Sequence, residues 1–132
     1  MTAGPVWLSI EDILDIHAQQ LALFGGAGGI RDFGLIESAL LRPENLYHYE
    51  GERDVLTLAV RLGIGIAENH GFVDGNKRTG AAAMIELLAV NGYVLTMPND
   101  TTLGRWIEAV IENEMLEQEF IEALSRFTEP WQ

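Results

Sequence analysis

From residue 55 to residue 67 the chain reads VLTLAVRLGIGIA, apolar nearly all round if wound as a helix. A helix on the surface of a globule shows one apolar stripe, whereas a helix without a polar face has to be covered on every side. The segment therefore predicts a central, buried helix, and the rest of the chain must supply its cladding. Asp54 is placed to cap its start.

Helical periodicity recurs on both sides of it. Ile10, Ile13, Leu14, Leu21 and Phe24 fall on one stripe. Ser9 with Asp12 forms a start signal, a hydroxyl and a carboxylate set to satisfy free amides of the first turn, and Gly25-Gly26 ends that helix. Asp32 caps a second helix carrying Leu35, Ile36, Ala39 and Leu40. Pro43 is expected to close it, because the residue before a proline is driven out of helical geometry. Residues 43–53, polar and aromatic, then read as a surface loop holding Tyr47, His48 and Tyr49.

After the central helix a fourth runs from about Asn76 to Asn91, with Gly92 suited to the left-handed position past its end. Residues 93–96 are extended but too short to imply a sheet by themselves. Beyond Pro98-Asn99-Asp100, two more helices fit residues 103–113 and 116–127. The expectation is an all-α fold of about six helices, one domain spanning residues 1–132.

Charge narrows the functional classes. The chain carries 20 acidic and 8 basic residues, a net charge of −12, and such a field repels nucleic acid and anionic membrane. An anionic ligand needs a local cationic island, and Lys77-Arg78 is the one place where two basic residues adjoin. Lys77 is also the only lysine in the chain. Cysteine is absent, which excludes a disulfide framework and a thiol nucleophile. The N-terminal residues lack the features of a signal peptide, and no apolar run reaches membrane-spanning length, so a cytoplasmic protein is expected.

The chemistry is concentrated in His70-Gly71-Phe72-Val73-Asp74-Gly75-Asn76-Lys77-Arg78. His70 stands at the exit of the central helix and has a reference pKa of about 6.5, so it can accept a hydroxyl proton at neutral pH. Gly71 and Gly75 permit backbone conformations that other residues enter at a cost. Asn76, Lys77 and Arg78 open a helix whose unpaired amides and dipole favour an anion. Lys77 adds a point charge and Arg78 a planar fork for phosphate oxygens. Asp74 is a hard oxygen ligand of the kind Mg²⁺ takes beside nucleotide phosphates. Singly, a histidine after a helix, an Asp-Gly-Asn turn and a Lys-Arg pair are ordinary, and Phe72 reads as core. Together they describe phosphoryl or nucleotidyl transfer to a hydroxyl.

This string resembles the motif of the Fic/Doc superfamily in its Doc (death-on-curing) form, H-x-F-x-D-x-N-K-R. The segment from Gly29-Ile30-Arg31-Asp32 through Leu35, Ile36, Glu37, Ser38, Ala39 and Leu40 to Arg42-Pro43 resembles the family too. Fic relatives transfer AMP to protein hydroxyls and carry glycine where this chain has Lys77. The Doc branch carries lysine and transfers the terminal phosphate of ATP to a threonine of elongation factor Tu, halting translation. A lysine fills the space in which a diphosphate would lie on bare backbone, which turns the γ-phosphate toward the acceptor.

The resemblance implies ATP and Mg²⁺ as cofactors and His70 as general base. It implies Asp74 as holder of Mg²⁺ or of the acceptor, and Gly75, Asn76, Lys77 and Arg78 at the nucleotide phosphates. It also implies a cognate antitoxin, whose docking groove is expected between the first and last helices and the segment 47–49. The Glu-Gly and Glu-Asn pairs at Glu44, Glu50, Glu68 and Glu112 have Leu40, Leu46, Ile64 and Glu108 four residues earlier. None of these is the hydroxyl residue of the self-inhibitory helix of Fic enzymes, so inhibition by a partner is expected. The alternatives are AMP transfer and a non-catalytic remnant that only binds its antitoxin.

Other features carry less. The cluster Gly25-Gly26-Ala27-Gly28-Gly29 lacks the Gly-Lys-Ser/Thr ending and preceding strand of a P-loop and reads as helix stop and loop. His17, His48 and His70 are too few and too scattered for a zinc site, and His17 is taken as structural or surface. Glu108, Glu112, Glu114, Glu117, Glu119 and Glu122 read as a solvated face, and Trp7, Trp106 and Trp131 as packing residues.

Overall fold

The computed structural model describes residues 4–98 and 100–131, so Asn99 of the expected turn lies outside the described residues. The central helix is α3 (Val55–Asn69), capped by Asp54, whose carboxylate accepts from the Thr57 amide at 3.1 Å. From Leu56 to Ala67 every residue except Thr57 and Arg61 is buried. Five helices cover it or its neighbours. The α4 helix (Asn76–Val90) turns back along α3. The α1 helix (Ile10–Phe24) packs on α4, and α2 (Phe33–Glu50) packs on α3. The α5 helix (Thr102–Ile111) touches both α3 and α4, while α6 (Glu117–Ser125) lies on α3 and α5. Ile13, Leu62, Leu88, Ile107, Phe120 and Leu124 are fully buried in this cluster. Each such side chain contributes about 1.5–3 kcal/mol relative to exposure.

Six helices and an all-α architecture agree with the sequence reading, and so do the local caps. Ser9 and Asp12 form a reciprocal capping box at α1, and Asp32 caps α2 by accepting from the Leu35 amide. Gly92 takes a positive φ of 88° just past α4.

Four expectations are corrected. Pro43 does not close α2, which runs on through it to Glu50 and ends at Gly51 in the left-handed conformation. The proline forfeits one main-chain hydrogen bond. However, Ala39, Pro43, Leu46 and Tyr47 recur at helical spacing as buried or half-buried residues, so the packed face continues across it. Residues 43–50 are accordingly helix rather than loop, and Tyr47 packs edge-on to Trp7 at 5.8 Å. Residues 47–49, expected to border an antitoxin groove, are thus the last turns of α2. The extended stretch is strand β1 (Tyr93–Leu95), and it finds an unforeseen antiparallel partner in β2 (Thr128–Pro130), with Val94 opposite Glu129. Trp131 and Phe24 are exposed, whereas Trp7 and Trp106 are half-buried as expected.

The α3 and α4 backbones meet at glycine. A Cβ on Gly63 would stand 2.8 Å from the Gly80 carbonyl oxygen and 3.1 Å from Cβ of Met84. A Cβ on Gly80 would overlap the Gly63 carbonyl oxygen and press on Ala67. Neither obstacle is a flexible side-chain end, so relief requires the helices to separate. Gly63→Ala and Gly80→Ala are each expected to destabilise the fold by about 1–3 kcal/mol despite alanine's better helix propensity. The urea-unfolding midpoint, with the slope unchanged, measures this.

Candidate active site

The connection between α3 and α4, residues 70–75, is held by residues that face inward. His70 caps α3 in the left-handed conformation, φ 52° and ψ 45°, which costs a residue with a Cβ about 1–2 kcal/mol. Gly71 follows where no side chain fits, since a Cβ would overlap Ile36 Cγ1 and lie 3.1 Å from the Asp32 carbonyl oxygen. Phe72 is 1% exposed and anchors the loop in the core. The His17 ring stacks on it, 3.7 Å between centroids and 9° between planes, and His17 Nε2 lies 2.8 Å from the Asp74 carbonyl oxygen.

Asn76 closes the loop on itself. Its Oδ1 accepts from the Phe72 amide and its Nδ2 donates to the Phe72 carbonyl, both at 3.0 Å. This modifies the sequence expectation for Asn76, because both polar ends of its buried carboxamide are spent on Phe72. What Asn76 offers an anion is its main-chain amide.

The outward groups converge on one cavity of about 420 Å³, lined by His70 and by Val73 through Arg78. Gly75 caps α4 with φ 79° and supplies no side-chain bond, and the first helical bond runs from the Thr79 amide to Gly75. The amides of Asn76, Lys77 and Arg78 therefore stand without helical partners at the positive end of a 15-residue helix. The His70 ring is exposed and has no hydrogen-bond partner among the described residues. The Lys77 ammonium lies 2.9 Å from a Glu108 carboxylate oxygen, with both side chains about half exposed (46% and 48%). Arg78 donates from Nη2 to the Gly25 carbonyl at 3.2 Å and lies 5.3 Å from the Phe24 ring centroid.

The structure brings His70, Asp74, Gly75, Asn76, Lys77 and Arg78 together as the sequence suggested. It also adds a support that sequence reasoning missed. The glycine cluster is no P-loop, yet it bonds to three residues that line the cavity. Ala27 donates its amide to Asp74 Oδ2 at 3.3 Å, and a Cβ on Gly26 would stand 2.8 Å from the same oxygen. Val73 donates its amide to the Gly29 carbonyl, and Ile30 bridges to Phe72 in antiparallel fashion. The amides of Gly75 and Ala27, helped by the charge of Arg78, hold the Asp74 carboxyl below its usual value. The one signal for the buried His17 was its spacing, four residues from both Ile13 and Leu21 on the inward stripe of α1. Arg31, whose guanidinium reaches the carbonyl of His70, was marked only by its place in the family-like segment Gly29-Ile30-Arg31-Asp32, which gave it no role.

A resident metal needs donors. No group of three or more His, Cys, Asp or Glu side chains surrounds a metal position among the described residues. One ionised, exposed carboxylate beside an anion-binding helix end does fit Mg²⁺, which characteristically combines one or two carboxylates with substrate phosphates and water.

Comparison with known proteins agrees with this geometry. The model of the Fic/DOC family matches residues 7–88, which contain the motif, the glycine-rich loop and α1 to α3. The chain is 38% identical over 95 residues to "Toxin Doc" of Mycolicibacterium smegmatis, covering 71% of each protein. It is 29% identical over 100 residues to "Protein kinase doc" of Escherichia phage P1, covering 74% of this chain and 79% of that one. This chain belongs to the Fic/DOC family. Both relatives are named as Doc proteins.

Two outcomes test the loop. Asn76→Ala strips both bonds from the buried Phe72 main chain and is expected to cost about 1–3 kcal/mol, read as a lowered unfolding midpoint. For Asp74, the folded pKa lies below the unfolded value of about 3.9, so ionisation favours the folded loop above that pH. That contribution disappears as pH falls through the folded value. Asp74→Asn is expected to be less stable than the parent at pH 7, with the gap closing below about pH 4 in parallel urea titrations.

Proposed function

We propose that this chain, acting as one Fic/Doc domain, is a Doc-type toxin that transfers the terminal phosphoryl group of ATP to a threonine hydroxyl of elongation factor Tu. The observation that carries the reading is the single cavity in which an exposed imidazole faces three unpaired helix amides, a lysine and an arginine. A base for a hydroxyl and a cradle for phosphate stand within one wall of a few residues.

In this reading His70 takes the proton of the acceptor hydroxyl, whose oxygen forms a bond to the γ-phosphorus. The bond from that phosphorus to the β–γ bridging oxygen breaks, and ADP leaves with its electron pair. The amides of residues 76–78 and the Lys77 and Arg78 side chains receive the phosphate oxygens and offset the charge that spreads over them. Lys77 is available for this at small cost, since an exposed pair such as Lys77–Glu108 is worth about 0–1 kcal/mol. Asp74 is the residue that would hold Mg²⁺, which when bound neutralises phosphate charge. Gly26 and Ala27 keep the carboxylate in place. Asn76 and His17 keep the loop from collapsing when its occupant changes. Inhibition by a cognate antitoxin belongs to the same reading and is supported by the toxin name of the Mycolicibacterium smegmatis relative.

The test is the intact mass of elongation factor Tu after incubation with this protein and Mg²⁺-ATP. A gain of one phosphoryl group is expected, with the rate lowered about 10²- to 10⁴-fold by His70→Ala. A gain of one adenylyl group instead would move the protein to AMP transfer and overturn the role given to Lys77. No modification, together with no shift of melting temperature by millimolar Mg²⁺-ATP, would leave a non-catalytic binding protein.

A further inference from the structure

Arg31 takes no part in the chemistry assigned to the cavity and does not line it. Yet its contacts all fall on the residue that does the work and on that residue's neighbours. Its Nε donates to the carbonyl of His70 at 2.7 Å, and its Nη2 to the carbonyl of Asn69 at 3.4 Å. The Arg31 amide donates to the Gly71 carbonyl at 2.8 Å, and the Asp32 amide shares that oxygen at 2.9 Å. Three successive carbonyls, those of Asn69, His70 and Gly71, are gathered by one residue and its successor. Arg31 forms no ion pair among the described residues, so its guanidinium is spent on these carbonyls.

Helix ends that turn left-handed ordinarily do so at glycine, and following amides bond back to the last carbonyls. At α3 the left-handed residue is His70, and no backbone bond from its own amide caps the helix. An external donor takes that part. The neighbouring Asn69 is fixed as well, donating from Nδ2 to the Leu35 carbonyl at 3.0 Å and accepting from Arg42 at 3.4 Å. The His70 ring itself has no partner, so its direction follows from the main chain that carries it. A planar guanidinium serves two carbonyls at once in a way a single ammonium does not.

We propose that Arg31 is the positioning residue for His70: it holds the left-handed backbone at the end of α3 and thereby turns the imidazole toward the cavity. The inference deepens the reading of His70 as general base and rests on it. Arg31 touches neither nucleotide nor acceptor in this arrangement and acts only through the histidine.

Two readouts decide it. In phosphorylation kinetics with elongation factor Tu, Arg31→Ala is expected to lower kcat about 10- to 100-fold with KM for ATP within about twofold, and Arg31→Lys to recover part of the loss. In the His70→Ala background, Arg31→Ala is expected to lower the rate no further. An equal additional loss there would mean that Arg31 acts independently and would overturn the proposal. The second readout needs no activity. The His70 Cα and Cβ chemical shifts report its left-handed backbone, and they are expected to leave that range in folded Arg31→Ala. Unmoved shifts overturn the proposal whatever the enzyme does. Moved shifts in a protein that modifies nothing uphold Arg31's hold on the backbone and bring down the transfer reading instead. Where Arg31→Ala does not fold, Arg31→Lys carries both comparisons.

Discussion

Everything in this fold depends on how closely α3 and α4 approach one another. Gly63 and Gly80 leave only backbone between the two axes, and Ala67 and Met84 complete the contact. Helices held at that distance can be joined by a connection as short as residues 70–75. The last carbonyls of one helix and the first free amides of the other then lie side by side. The imidazole carried by the first end and the free amides of the second are neighbours for that reason alone. The outer helices bury the apolar surface of this pair and leave its joined end open.

The motif divides into two sets of residues with opposite loyalties. Gly71, Phe72 and Asn76 belong to the core, and His17 stacks behind them as a backstop. His70, Val73, Asp74 and Lys77 are exposed and belong to the cavity. The inward set is what gives the outward set a fixed geometry without loading it with contacts. Asn76 shows the division most clearly, because a residue that reads as a ligand from its place in the motif serves as a clasp.

Much of the fold was legible because its signals are local. The caps at Ser9, Asp32 and Asp54 act on amides three residues away, and the apolar run of α3 states its own burial. What escaped was decided at a distance. Pro43 reads as a helix stop until the packed face formed by Ala39, Leu46 and Tyr47 is known to continue past it. Strand β2 has no pattern of its own and exists through pairing with β1. The site followed the same rule. Its outward string is contiguous and could be read, whereas Gly26, Ala27 and Arg31, which hold it through Asp74 and the His70 carbonyl, come from a loop distant in sequence.

The Lys77–Glu108 contact has a practical corollary. In a chain with one lysine, the only ε-amine stands at the mouth of the cavity with 46% of its side chain exposed. Acylation or reductive methylation of lysine therefore marks this one side chain, with the α-amine as the other amine that reacts. Whatever occupies the cavity and engages that amine shields it from the reagent, so the chain carries its own built-in gauge of occupancy.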